Sequence, residues 1–173
     1  MKSRCSMLFQ LLTYAGLTSI TGCAEPPITT DMLYVEEFSC LSGVLSPSLP
    51  ESKTELLNLD KILHSQNAET HNLAMGSISY QFYQFDGLEV IIAEDSSQPE
   101  KYWLSSLQIY GKKWAPLTPL KIGDSMTTIL THLPARFQTL EAIPLHLGGD
   151  TDALYIKQEN GVITGLSYSC YTG

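Results

Sequence analysis

Ile78-Ser79-Tyr80-Gln81-Phe82-Tyr83-Gln84-Phe85-Asp86-Gly87-Leu88-Glu89-Val90-Ile91-Ile92-Ala93 decides the fold. Ile78, Tyr80 and Phe82 alternate with polar neighbours, the period of a half-buried strand. Asp86-Gly87 then interrupts, and Leu88 to Ala93 is a β-rich run. Strand, Asp-Gly, strand reads as a hairpin, because glycine reaches the positive φ that a two-residue turn needs. A second hairpin reads from Ala153–Gln158 and Val162–Tyr171 across Asn160-Gly161, and Tyr102–Tyr110 is a strand between the two. Leu33–Leu45 reads as a strand region around Cys40. Thr139–Leu147 reads as a strand broken by Pro144. His64–Asn72 is polar and reads as loop.

Two segments carry helical spacing instead. Leu56, Leu59 and Leu63 follow Ser52 and Thr54, either of which could cap a helix. Met126, Ile129, Leu130 and Leu133 fall on one apolar face. Asp124 is placed to accept first-turn amides, and Pro134 ends the run. The expectation is an α+β fold, an antiparallel β-sheet with one or two helices packed on one face. A faint repeat aligns Tyr80–Gly87 with Tyr155–Gly161, although any two hairpins share this much.

Lys2 and Arg4 precede the mostly apolar run Met7–Leu17, which is too short for a membrane helix. Ile20-Thr21-Gly22-Cys23 resembles the bacterial lipoprotein box. The resemblance implies cleavage before Cys23 and acylation of its thiol; an ordinary signal peptide with an accidental cysteine is the plainer alternative. Residues 1–22 are then a signal peptide, 23–30 a lipid tether and 31–173 a single domain. With Ala24 where an aspartate would resemble an inner-membrane retention signal, the expected location is the outer membrane, facing the periplasm.

The chain has 173 residues and a formal net charge of −8, and signal cleavage removes two basic residues and no acidic one. Such acidity disfavours nucleic acid and anionic membrane surfaces as partners, leaving the lipid as the membrane attachment. Cys5 leaves with the signal, so Cys40 and Cys170 remain as a pair in an oxidising compartment. They are read as a disulfide rather than as a free catalytic thiol.

Lys121-Ile122-Gly123-Asp124-Ser125-Met126-Thr127-Thr128-Ile129-Leu130-Thr131-His132-Leu133-Pro134 resembles the helix-opening pattern of small envelope lipoproteins of the outer-membrane assembly type and of beta-lactamase-inhibitor-like domains. Asp152–Gln158 and Gly161–Tyr168 supply the strands that follow. The resemblance covers residues 121–170 and departs from those families where Leu133 meets Pro134 with no intervening glycine. It implies a helix-on-sheet binding module without catalysis.

Motifs for chemistry are missing. His64, His71, His132 and His146 show no metal-ligand spacing, and no serine has the flanking glycines of a nucleophile elbow. Glu36-Glu37 and Glu94-Asp95 are adjacent pairs, which on a strand point to opposite faces and read as solvated charges. No enzyme activity, metal or cofactor is expected. The aromatic-rich stretch Tyr80–Trp114 is read mainly as core and cross-strand pairs. Trp114, beside Lys112 and Lys113 after Gly111, is the residue least easily placed in a core, so these three form the expected partner-binding site. The functional expectation is an inhibitor or immunity protein against a cell-wall-degrading enzyme, with a basic secreted hydrolase as the partner. The alternative is a structural accessory lipoprotein of an outer-membrane or envelope assembly.

Overall fold

A computed structural model describes residues 32–34, 38–43, 45–73, 76–138, 145–148 and 151–171. The signal segment, the tether, Cys23, Glu36 and Glu37 lie outside the described residues. Eight strands form one sheet: β1 (Met32–Tyr34), β2 (His64–Leu73), β3 (Gly76–Phe85), β4 (Leu88–Asp95), β5 (Trp103–Ile109), β6 (His146–Gly148), β7 (Ala153–Glu159) and β8 (Val162–Ser169). Their order is β1-β6-β7-β8-β5-β4-β3-β2. β1 runs parallel to β6, and every other neighbouring pair is antiparallel. Helices α1 (Lys53–Leu57) and α2 (Thr128–His132) and a 3-10 segment, Lys112–Leu117, contribute Leu56, Ile129 and Trp114 to the same core. The fold is therefore α+β, with its helices on one face of an antiparallel sheet.

Alternation builds the inner face. Leu88, Val90 and Ile92 of β4 and Leu154 and Ile156 of β7 are buried, while their neighbours, apart from buried Ala93, are more exposed. β5 and β8 break the period of two and still keep their apolar residues inside. The register of β5 against β4 skips Ser105, so Leu104 and Leu107 both point inward. In β8 the register skips Thr164, and Ile163 and Leu166 both point inward. One extra residue at each bulge resets the face.

The two hairpin turns differ. Asn160 and Gly161 both take positive φ (52° and 75°), whereas only Gly87 does so at the first hairpin, with φ 77°. A Cβ on Gly87 would lie 2.7 Å from Gly111 Cα, so the absence of a side chain lets the 3-10 segment close over the β3–β4 turn. Tyr110 N and Gly111 N both donate to Gly87 O, at 3.0 and 2.9 Å.

Several expectations are corrected. Residues 64–73 form a strand, not a loop: β2 is an edge strand paired only to β3, so it needs no apolar face, and it carries its own bulge between Asn67 and Glu69. Residues 38–43 are irregular, and the only strand described in the Leu33–Leu45 region is β1. Helix α1 has five residues and ends before Leu59 and Leu63. Its cap is Ser52, whose side chain accepts from Glu55 N at 3.2 Å. Helix α2 begins at Thr128, and Asp124 does not cap it. The first-turn backbone is engaged by the β7–β8 hairpin: Gly123 N donates to Ile163 O, Ile163 N to Asp124 O, and Met126 N to Gly161 O. At the other end Leu133 takes extended geometry with ψ 154°, as a residue before proline tends to.

Candidate interaction surface

The segment 38–50 has little regular structure, yet it is held at many points. Cys40 and Cys170 form a disulfide with Cα atoms 5.8 Å apart and a sequence separation of 130. Both cysteines are buried. Asp152 supplies a second clamp: its carboxylate accepts from Cys40 N at 2.7 Å and from Tyr171 N at 2.8 Å, tying together the two backbones that flank the disulfide. Leu41 N donates to Ser39 Oγ and Ser46 Oγ to Ser39 O. Tyr168 Oη, fully buried and stacked near Phe38, donates to Leu45 O at 3.0 Å. Tyr102 Oη donates to Pro50 O. Burial pushes the Tyr102 phenol up to about 12, with the charge of Glu55 adding to it.

This braced loop leaves Leu41 81% exposed. Beside it a cleft of about 220 Å³ opens, lined by Leu41, Pro47, Leu49, Pro50, Glu51 and Trp103 among others. Trp103 is 38% exposed, and Tyr171, next to Cys170, is 66% exposed. Three large apolar side chains thus reach water from segments joined at the disulfide end of the sheet. Exposed apolar groups gathered on a rigid frame are the composition of a binding surface, in contrast to singly scattered ones.

The expected site at residues 112–114 is different in kind. Trp114 is only 6% exposed, and it packs edge-on to Phe85 with ring centroids 5.9 Å apart. Its Nε1 donates to Asp86 O at 2.8 Å. The glycine contact at Gly87 and Gly111 swings the ring inward, so Trp114 is a core residue and not an exposed anchor. Lys113 Nζ sits 2.6 Å from Asp60 Oδ2 and 3.0 Å from Asp86 Oδ2, and 5.2 Å from the Trp114 ring centroid. Hydrogen bonding to Lys113 holds the Asp60 carboxyl below the usual range. Lys113 therefore staples the α1–β2 connection to the hairpin. Lys112 is exposed and its stem lies near Gly123.

The acidic pair Glu94-Asp95 is not simply solvated. Glu94 pairs with Lys53 at 2.8 Å, and Asp95 accepts from Ser97 N. Burial opposes the charge on Lys53, but the hydrogen bond and charge of Glu94, with Tyr83 and Glu100, raise its pKa overall. Among the described residues no group of three or more His, Cys, Asp or Glu side chains could hold a metal ion. No helix among them is long and apolar enough to cross a membrane. His146 stacks on Tyr155 with centroids 4.0 Å apart.

Sequence reading missed Leu41 and Asp152. Cys40-Leu41-Ser42-Gly43 signals a bend, but the exposure of Leu41 follows from clamps contributed more than a hundred residues away. Comparison with protein-family models, curated proteins and solved structures finds no significant match to this chain.

Proposed function

We propose that this protein is a lipid-anchored, periplasm-facing binding domain that inhibits a basic cell-wall-degrading enzyme. The observation that carries the reading is Leu41, held 81% exposed on a loop fixed by a disulfide and a buried carboxylate. Leaving a leucine in water forgoes roughly 1.5–3 kcal/mol of burial, which a partner can recover. Holding the loop in one conformation removes much of the ordering cost of association. Net acidity adds steering toward a basic partner and makes the encounter sensitive to salt.

A second reading, a structural accessory of an envelope assembly, draws support from residues 123–126. Their bonds to the β7–β8 hairpin tie the approach to α2 to the sheet, in keeping with a helix-on-sheet module.

The test is retention. Immobilised protein of residues 23–173 is challenged with periplasmic extract, and bound material is assayed for peptidoglycan hydrolysis. Hydrolase activity should be retained and inhibited by the wild type and pass through a Leu41→Asp column. If every hydrolase in the extract passes the wild-type column unhindered, the inhibitor reading fails.

A further inference from the structure

We infer that the cleft beside Leu41 is a receptor for one arginine side chain of the protein partner. Its volume, about 220 Å³, is below the roughly 300–1,000 Å³ typical of sites for drug-sized ligands, and it suits a single long side chain. The walls mix polar and apolar surface, and on the apolar side Leu41, Pro47, Leu49 and Pro50 offer contact to a methylene stem. Trp103 lines the same cleft and is partly exposed, so an aromatic surface is open to a cation.

Glu51 supplies the charge. Glu51 lines the cleft, is exposed, and its side chain makes no hydrogen bond or ion pair with any described residue. Glu94 is committed to Lys53 and Glu100 to Thr54, while Glu55, close enough to act on Tyr102, adds negative charge on the same side. An open cleft with apolar side chains, an unpaired carboxylate and an indole is complementary to a cation on an apolar stem. Arginine fits better than lysine, because a planar guanidinium can stack on the indole while forking to the carboxylate. The inference rests on the partner-binding reading above, but not on the partner being a hydrolase.

The experiment titrates the chain of residues 23–173 with acetyl-Gly-Arg-Gly-amide and with its citrulline and lysine counterparts, following indole N–H resonances by NMR. The chain has two tryptophans, and Trp103→Phe identifies which signal belongs to the cleft. The arginine peptide should shift the Trp103 signal saturably and leave Trp114 unmoved. The neutral citrulline peptide should bind at least tenfold more weakly, the lysine peptide should be weaker than arginine, and Glu51→Gln should lower arginine affinity about tenfold. An absent or non-saturable shift, equal binding of citrulline, lysine binding as tightly as arginine, or indifference to Glu51→Gln would each overturn the proposal. Saturable arginine binding alongside an extract that yields no hydrolase would refute the hydrolase reading and leave the arginine receptor standing.

Discussion

Trp114 shows what a single residue conceals. Its neighbours Lys112, Lys113 and Gly111 describe a polar turn, and only the contact between Gly87 and Gly111 turns the ring into the core. That contact joins residues distant in sequence, so no local pattern announces it. Trp114→Ala should therefore destabilise the domain by about 3–5 kcal/mol, the usual cost of truncating a buried large aromatic. Urea unfolding of the variant checks this, and a loss under ~1 kcal/mol would return Trp114 to the surface. Gly87→Ala probes the same contact from the other side. A non-glycine residue in the left-handed region costs about 1–2 kcal/mol, and here the new Cβ would also meet Gly111 Cα at 2.7 Å. The combined loss should exceed that of an alanine placed at Gly161, whose φ is 75° but whose Cβ would meet nothing within 4 Å.

Among elements, the β3–β4 and β7–β8 hairpins were legible because turn chemistry is local, and β5 was legible in place although its bulge breaks the period of two. The helices were legible in place but not in length. Gly123-Asp124-Ser125 reads as the opening of a helix whose spacing starts at Met126, yet backbone groups of residues 123–126 bond to Gly161 and Ile163, and tertiary pairing shortens α2. Polar β2 was illegible because an edge strand exposes both faces of its side chains and needs no hydrophobic period. The cleft was legible only as proline-rich irregular sequence. Its link to β5 through Tyr102 makes a pH prediction. The Tyr102 pKa stands near 12 in the folded protein, against about 10 for an unfolded tyrosine. The folded state thus holds the phenolic proton more tightly. That contribution is complete below about pH 10 and is lost as pH rises through 12. Tyr168 is raised by burial and acts in the same direction. Urea midpoints should fall between pH 10 and 12, less steeply in Tyr102→Phe than in wild type; identical slopes would remove Tyr102 from the account.

At the scale of the molecule, a four-strand meander, β2-β3-β4-β5, and a three-strand meander, β6-β7-β8, meet where β5 pairs antiparallel with β8. The two strands at the junction, β5 and β8, each carry a bulge, at Ser105 and Thr164. The repeat aligned from sequence sets the β3–β4 hairpin against β7–β8, but the second includes a junction strand, β8, and the first does not. Topological likeness and residue alignment therefore disagree. Cys170 follows β8, one of the two central strands, and the disulfide carries this position to the loop after β1. Closing so long a loop limits the unfolded chain and can contribute about 4–5 kcal/mol if strain is absent. Because both cysteines are buried, reductant alone should react slowly with the folded protein, so the clean probe is Cys40→Ala with Cys170→Ala. The double variant should melt on the order of 10 °C lower. It should also expose residues 38–43 and 45–50 to proteolysis before the rest of the sheet opens, since hydrogen bonds such as those of Asp152, Tyr168 and Tyr102 and the burial of Phe38 and Leu45 then hold them without a covalent tie. Equal melting temperatures, with the loop as resistant to protease as in wild type, would show that these hydrogen bonds suffice. The rigidity of Leu41 would then owe nothing to the disulfide.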